Sequence, residues 1–281
     1  MQVRARSAAA LIAAALVAGG PVRAFQAESG TVRARHDLPA SETLHYRVEW
    51  RLITAGKAQL SWSGGADGDG GWRAKLHLES TGLVSKLFKV NDDYSSVLQS
   101  DLCAVSSHMI SHEGRRHRES RVTFDVESGK ASFVEKDLAK DVVLNTKEID
   151  IPSCVHDVVG GLYYLRTLRL EPGQTAQIPV SNGKKSVSAR VEAQQREVVK
   201  TPAGSFQPIR YAAFLFYDVL FRRSARLYVW ITDDDRRLPV QIRVRMQFTI
   251  GTITFQLDQP DKEEKSAAES ASTNRPSRAS S

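Results

Sequence analysis

The chain has 281 residues, of which 41% are hydrophobic, 25% charged and 7% aromatic. This composition is that of a globular protein with a sizeable core, and it excludes collagen-like, coiled-coil and wholly disordered chains. The net charge of +7 falls to +4 without residues 1–24, which hold three arginines and no acid, so nucleic acid is not expected as a partner of the mildly basic body.

The first 24 residues have the pattern of a cleavable signal peptide. Arg4 and Arg6 precede an apolar run at residues 8–18, which is too short to span a bilayer, and small residues flank Arg23. No cysteine follows this run closely, so a lipid-anchored N-terminus is not expected. The alternative is an uncleaved membrane anchor. The sequence predicts a periplasmic or secreted protein with no transmembrane helix after cleavage.

Residues 25–41 show no periodicity and are predicted to be a flexible leader. From Leu44 the pattern changes, and apolar residues occupy every second position through Leu52. Successive side chains of a strand point to opposite faces, so this alternation predicts a half-buried strand. Similar runs predict further strands at residues 56–62, 72–78, 121–126, 131–134, 187–199, 206–216, 227–231, 240–250 and 253–257.

Short turns join these strands, and strands joined in this way must be antiparallel. The segment Cys154–Leu170 breaks the pattern, because its apolar residues recur at spacings of three and four. With Asp157 in the first turn and Arg166 in the last, the segment predicts a helix with a wide apolar stripe. A shorter helical turn is expected at Leu83–Phe88.

The apolar stripe of the main helix has to be buried, and the apolar face of the sheet is the surface available to it. We therefore predict a mainly β fold in which a strongly curved antiparallel sheet, a half-barrel or barrel, packs one main helix on its concave face. This single domain should extend over residues 42–258. Residues 259–281 hold almost no apolar side chains and are predicted to be a disordered tail.

The chain has two cysteines, Cys103 and Cys154. An even number of cysteines in an exported protein favours a disulfide, so we predict that these two are bonded to each other. Two buried free thiols or a redox pair are the alternatives. No Cys-x-x-Cys spacing is present to lower the pKa of a thiol, which makes the redox pair the weaker of the two.

No pattern in the chain points to catalysis. The sequence has no Gly-x-Ser-x-Gly elbow, and the fragment at Asn182–Ser186 lacks the upstream glycine and following helix of a phosphate loop. His108 and His112 would be about 13 Å apart on a strand, too far to share a metal ion. The sequence therefore favours a protein without enzymatic activity, metal or cofactor, and predicts no catalytic residue.

One segment combines aromatic side chains with arginines, and Arg243 and Arg245 occupy the polar face of a later strand. Apolar residues rimmed by arginine suit an amphiphile, because guanidinium groups pair with an anionic head. The alternative is a core strand followed by a solvated basic turn. The candidate ligand-binding residues are Phe214, Phe216, Tyr217, Phe221, Arg222, Arg223 and Arg226.

Four short motifs, in this order and spacing, carry a resemblance to a known family. They are Gly161–Arg166 (GLYYLR), Pro202–Phe206 (PAGSF), Leu227–Asp234 (LYVWITDD) and Arg237–Val240 (RLPV). From Leu44 to Leu257 the chain resembles the bacterial domain-of-unknown-function 3108 family. The resemblance implies an exported, mostly β protein with no assigned activity, and it assigns no catalytic residues. The chain differs from the family in the lead into the helix, where Asp157-Val158-Val159-Gly160 replaces an acidic-Pro-Leu-Ser sequence.

Two functions agree with these observations. The first is an exported cell-envelope protein that binds a lipid or another hydrophobic or amphiphilic ligand between the curved sheet and the helix, because one helix can leave part of the concave side unfilled. The second is a structural or assembly factor whose partners are other envelope proteins.

Overall fold

The computed structural model describes residues 38–64, 70–215, 225–246 and 251–259. All of them fall within one compact unit, Ala34–Ser281. The predicted signal peptide lies outside the described residues, as do most of the predicted leader and tail, and these assignments stay predictions. Among the described residues, no helix combines the length and the apolar character needed to cross a membrane.

The described residues form sixteen strands and two helices. The first eight strands are β1 (Ser41–Trp50), β2 (Ile53–Gly64), β3 (Trp72–Ser80), β4 (Val90–Leu98), β5 (Ala104–Glu113), β6 (Arg116–Asp125), β7 (Lys130–Asp137) and β8 (Val142–Asp150). The others are β9 (Thr175–Ser181), β10 (Ser186–Arg196), β11 (Val199–Thr201), β12 (Gly204–Phe206), β13 (Pro208–Leu215), β14 (Ala225–Thr232), β15 (Pro239–Met246) and β16 (Thr252–Asp258). The helices are α1 (Gly82–Leu87) and α2 (Val158–Thr167).

Fourteen strands form one sheet in the order β8-β7-β6-β5-β4-β3-β2-β1-β16-β15-β14-β13-β10-β9. Every strand pair within this sheet is antiparallel. Strands β8 and β9 form its two edges and are not paired with each other, so the sheet is curved but not closed. The predicted fold class is thus confirmed in its half-barrel form.

The alternation of apolar side chains decides which face of the sheet is buried. In β1, Leu44, Tyr46 and Val48 are buried and face the helix side, whereas the side chains between them are more exposed. Buried residues of α2 join the same two core clusters as the strands. We call the face that packs against α2 the concave face and the opposite one the convex face.

Helix α2 is shorter than the predicted helix at Cys154–Leu170. Its N-terminal lead is held extended, because the backbone of His156 donates to Pro179 (2.9 Å) and accepts from Ser181 (2.9 Å) on the edge strand β9. At the other end the backbone turns extended at Leu168. The predicted shorter turn at Leu83–Phe88 is present as α1.

A disulfide joins Cys103 to Cys154 with their Cα atoms 5.1 Å apart, which confirms the predicted bridge. Next to it, the amide of Ala104 donates to the carbonyl of Val155 at 2.8 Å. The segment before α2 is therefore attached covalently and by hydrogen bonds to the start of β5. The same segment pairs with β9, so it links an inner strand to an edge of the sheet.

The turn between β9 and β10 packs onto the concave face of β6 and β7. A Cβ atom at Gly183 would lie 2.6 Å from a methyl group of Val122, and the φ angle of Gly183 is +78°, so only glycine fits here. Lys184 lies over the ring of Phe133 at 4.4 Å and pairs with Glu135 at 3.3 Å. These contacts hold the open sheet in its curved form.

The predicted strands at 187–199 and 206–216 are each divided in two, because their facing ends form the separate hairpin of β11 and β12. The pairing of β10 with β13 is also irregular, with a register shift between Ala193 and Arg196.

Candidate functional site

A stack of aromatic rings fills the space between α2 and the concave face. The ring of Trp62 lies 3.9 Å from that of Tyr163 and 4.9 Å from that of Trp72, measured between centroids. Tyr163 and Trp62 are fully buried. Burial strongly raises the pKa of the Tyr163 hydroxyl, so this phenol stays neutral. The place where the sequence suggested a ligand is thus occupied by the protein's own side chains.

Asp157 caps the N-terminus of α2. Its side chain accepts a hydrogen bond from the amide of Gly160 and another from the hydroxyl of Tyr94 at 3.0 Å. Burial raises the pKa of this carboxyl, and the hydrogen bonds it accepts oppose that shift. The acid that the sequence placed in the first turn therefore has a structural role at the cap.

Two buried arginines secure the C-terminal end of α2. Arg166 forms a two-pronged ion pair with Glu42 on β1, and its Nε donates to the carbonyl of Arg237 at 2.8 Å. Arg237 in turn donates to the carbonyls of Arg166 (3.1 Å) and Leu168 (2.6 Å). The last carbonyls of a helix lack partners within the helix, and the guanidinium group of Arg237 supplies donors to them.

The first and the last of the motifs that carry the family resemblance meet at this anchor. Tyr163 and Arg166 come from the first motif, and Arg237 and Leu238 from the last, and all four are buried. Arg166 and Arg237 direct their hydrogen bonds to β1 and to the backbone around the end of α2. The first and last motifs therefore specify how α2 is held on the sheet.

Three cavities among the described residues are lined largely by side chains of the convex face. The one with the most distinctive chemistry is an open groove of about 750 Å³ over β13–β16 and the β1–β2 turn. Its lining residues are Arg51, Leu52, Gln194, Arg210, Tyr228, Trp230, Arg243, Arg245, Gly251, Thr252 and Thr254. We use the name arginine face for this groove together with Arg226.

The arginine face concentrates positive charge. Arg226 on β14 lies directly across from Arg245 on β15, and Arg243 lies two residues further along. Within the described part of the chain no carboxylate forms an ion pair with any of these three. Like charges directly opposite each other destabilise a pair of strands, so folding alone gives no reason for this arrangement.

Aromatic rings hold two of the guanidinium groups in place. Arg243 lies over the ring of Trp230 at 5.0 Å, and Arg210 lies over that of Tyr228 at 5.9 Å. Glu197 accepts a hydrogen bond from the Trp230 indole at 2.6 Å and approaches Arg210 at 3.6 Å. Arg210 is thus partly neutralised, whereas Arg243 is oriented by its ring contact and has no carboxylate paired with it among the described residues.

The structure brings some of the predicted ligand-binding residues together. In the register of β13 with β14, Phe214 lies directly across from Arg226. The other candidates, Phe216, Tyr217, Phe221, Arg222 and Arg223, lie outside the described residues.

Sequence reasoning missed Tyr228 and Trp230. They follow Arg226 at every second position of β14, so all three lie on the same face of the strand. This spacing of one arginine and two aromatic residues was the signal in the sequence that could have identified them.

The histidines pair across strands rather than along one. His112 meets His117 with their Nδ1 atoms 2.7 Å apart, and His108 meets Glu119 at 2.8 Å. Among the described residues, one group of three potential metal ligands clusters closely, Asp101 with the two cysteines, and its sulfurs are bonded to each other. No other close group of three such ligands is found in the described part of the chain.

Comparison with known proteins supports the fold and leaves activity open. A crystal structure of a beta-barrel-like protein of domain of unknown function DUF1849 from Brucella abortus shares 9% identity and a TM-score of 0.52, over 79% of this chain and 97% of that one. A DUF1089 family protein from Pseudomonas aeruginosa shares 15% identity, over 68% of this chain and 90% of that one, and its TM-score of 0.36 is too low for inference. No curated protein matches the chain.

One protein family matches this chain over nearly all of the described sheet. The match starts at residue 45 in β1 and ends at residue 258, the last residue of β16, so it includes the α2 anchor and the arginine face. The chain belongs to the family described as "Protein of unknown function (DUF3108)".

Proposed function

We propose that this protein is an exported cell-envelope protein that binds amphiphilic molecules with an anionic, phosphate-bearing head at its arginine face. The observation that carries the proposal is the meeting of Arg226, Arg243 and Arg245 on neighbouring strands, with no carboxylate paired to them within the described residues. Charged side chains arranged against the stability of the sheet are typical of a binding surface.

Two features support an extracytoplasmic location. The disulfide between Cys103 and Cys154 suits an oxidising compartment, because such bonds are rare where thiols are kept reduced. The N-terminal pattern of arginines, apolar run and small residues is that of a secretory signal. A ligand of the envelope is therefore the natural choice.

The chemistry of the groove favours phosphate. A guanidinium group presents a planar fork of N–H donors that matches the oxygens of a phosphate in two parallel bonds. Arg243 is already oriented by Trp230, so less side-chain entropy is lost when it binds. Threonine side chains at 252 and 254 line the same groove and offer neutral donors.

The groove also suits the boundary between the head and the tail of an amphiphile. Tyr228 and Trp230 combine an apolar ring with a polar tip, as side chains at membrane interfaces do. Leu52 lines the same groove from the β1–β2 turn and is almost completely exposed. An acyl chain leaving a bound phosphate would find apolar surface there.

The test uses a short-chain phosphatidylglycerol kept below its micelle concentration and titrated into the protein by calorimetry. The double substitution Arg243→Gln with Arg245→Gln should weaken binding about tenfold or more, because each charge-assisted contact contributes roughly 1.5–3 kcal/mol. The matched control is Arg73→Gln with Lys75→Gln, which removes the same charge from exposed residues on the convex face of β3.

Three results would argue against this function. They are no binding by the unaltered protein, equal binding of a phosphatidylcholine of the same chain length, or equal weakening in the control variant. The first of these would favour the structural or assembly role, which pull-down from the envelope would then address.

A further inference from the structure

An exposed apolar tip lies beside the arginine face. It consists of two residues at the β1–β2 turn and three at α1, all of them large and apolar: Leu52, Ile53, Leu83, Leu87 and Phe88. Leu52 is 94% exposed, Leu87 76% and Leu83 70%. Apolar side chains gathered on two neighbouring elements, rather than scattered singly, indicate an interaction surface.

The fold places the two elements of the tip side by side. The residue before α1, Thr81, donates its amide to the carbonyl of Ala55 near the start of β2 at 2.9 Å. Ser80, at the end of β3, pairs with Gly56 in the same region. Helix α1 has no buried residue, so its leucines do not contribute to the core.

The backbone conformation of the β1–β2 turn indicates that Leu52 does not stabilise the fold. Arg51 and Leu52 have φ angles of +49° and +70°, in the left-handed region that favours glycine or asparagine. A leucine in this conformation is strained, and at 94% exposure it gains nothing from burial. A contact outside the chain would account for it.

The charges around the tip are positive. The segments 50–54 and 82–89 contain Arg51, Lys86 and Lys89 and no acid. Arg51 lines the arginine-face groove together with Leu52, so the tip and the arginine face form one continuous surface. Apolar side chains among cations, next to arginines suited to phosphate, complement the surface of an anionic bilayer.

We infer that this end of the protein docks on an anionic phospholipid bilayer. The apolar tip enters the boundary between head groups and acyl chains, and the arginine face pairs with lipid phosphates at the surface. This inference rests on the proposed binding of anionic amphiphiles and adds the bilayer itself as the partner. Docking would bring the groove to the level of the head groups, where its ligand is found.

The experiment is flotation of the exported protein, purified from the envelope of cells that produce it, with two kinds of vesicle. One kind contains phosphatidylcholine and phosphatidylglycerol in equal parts, and the other contains phosphatidylcholine alone. The tip variant carries Leu83→Ser and Leu87→Ser, which replace two exposed side chains of α1 that do not line the arginine face. The control variant carries Val198→Ser, which removes an exposed apolar side chain (62% exposed) from the β10–β11 connection, outside the tip.

Docking predicts that the unaltered protein floats with the anionic vesicles, and that the tip variant partitions roughly tenfold less or weaker still. The tip variant should keep its affinity for the short-chain phosphatidylglycerol and its melting temperature, since both leucines are exposed on α1, which has no buried residue. The control variant should float like the unaltered protein.

Equal flotation of the tip variant and the control would overturn the docking while leaving head-group binding intact. Flotation with both kinds of vesicle alike would overturn the role of charge. Failure of the short-chain lipid to bind, with flotation still dependent on the tip, would instead reject the proposed function and leave a purely apolar membrane contact.

Discussion

Arginine has opposite roles on the two faces of the sheet. Under α2, Arg166 and Arg237 are buried, and a carboxylate, backbone carbonyls and a tyrosine hydroxyl accept their hydrogen bonds. On the convex face, Arg226 and Arg245 are exposed and directly opposed, with no acid paired to them among the described residues. A buried charge must be paired to be tolerated, whereas an exposed one can be left for a ligand.

On this comparison, the buried arginines stabilise the fold, whereas the exposed arginines are those proposed to bind a ligand. The buried pair should be sensitive to any change, and its loss should affect stability alone. The exposed arginines should tolerate substitution, and their loss should weaken binding without destabilising the fold. The following predictions test each side of that comparison, beginning with the largest expected effect.

Arg166→Met should destabilise the protein by about 3–5 kcal/mol, because it leaves the Glu42 carboxylate largely buried without its partner. Urea unfolding at neutral pH measures the loss. Arg169→Ala is the control, since Arg169 is half exposed and pairs with a fully exposed Asp235 at 3.3 Å, so its loss should stay below about 1 kcal/mol. Equal losses in the two variants would mean that the anchor does not hold α2.

Removing the disulfide should have the next largest effect. Replacing both Cys103 and Cys154 by alanine frees a loop of 51 residues in the unfolded chain, which on chain-entropy grounds removes up to about 4 kcal/mol of stability. Urea unfolding with and without reductant checks this, and reductant should not affect the variant. Binding of the short-chain lipid should persist in the folded fraction, since the bridge is on the concave side with α2.

The period-two pattern was sufficient to predict the fold class, because each strand buries one face. The alternation from Leu44 to Trp50 gave β1, although the predicted strand continued to Leu52, which lies in the turn. Strands β4, β8 and β9 were not predicted. The helix was predicted too long, since nothing local shows that the Cys154 lead is drawn into pairing with β9. Contacts between distant residues of this kind leave no periodic trace in a sequence.

The site was harder to predict than the fold. Charge near residue 226 was visible in the sequence, but the opposition of Arg226 and Arg245 depends on the register of two strands. The role of Arg51 depends on a turn that meets β16 only in the folded sheet, where its amide bonds to Thr252. The buried partner of Arg166 is 124 residues away, at Glu42, and no spacing rule indicates it.

The pH dependence of stability tests the concave side more finely. Burial raises the pKa of Asp92 to about 6, with a hydrogen bond from the His112 amide opposing the shift. A carboxyl with a higher pKa in the folded than in the unfolded state binds its proton more tightly when folded. Stability should therefore fall as the pH rises from about 3.8 to about 6, and the loss is complete above that window.

Asp92→Asn keeps the hydrogen-bond acceptor and removes the charge. The variant should be more stable than the unaltered protein at pH 7, and its urea midpoint should fall less steeply over the same window. Asp157, whose pKa is also raised by burial, contributes a slope of the same sign in both proteins, so the comparison isolates Asp92. Parallel curves would show that folding does not raise the pKa of Asp92.

The smallest stability effect should come from Arg245→Glu, and it should be a gain. The substitution places a carboxylate directly across from Arg226, and replacing like charges by opposite ones in a cross-strand pair stabilises by roughly 0.2–1 kcal/mol. The same change should weaken binding of short-chain phosphatidylglycerol more than the neutral Arg245→Gln does, because it repels phosphate. Opposite shifts in stability and affinity would show that the arginine face is kept for a ligand at a cost to the fold. If stability and affinity both fall instead, Arg245 stabilises the sheet. Arginine would then have the same structural role on both faces of the sheet, rather than opposite roles.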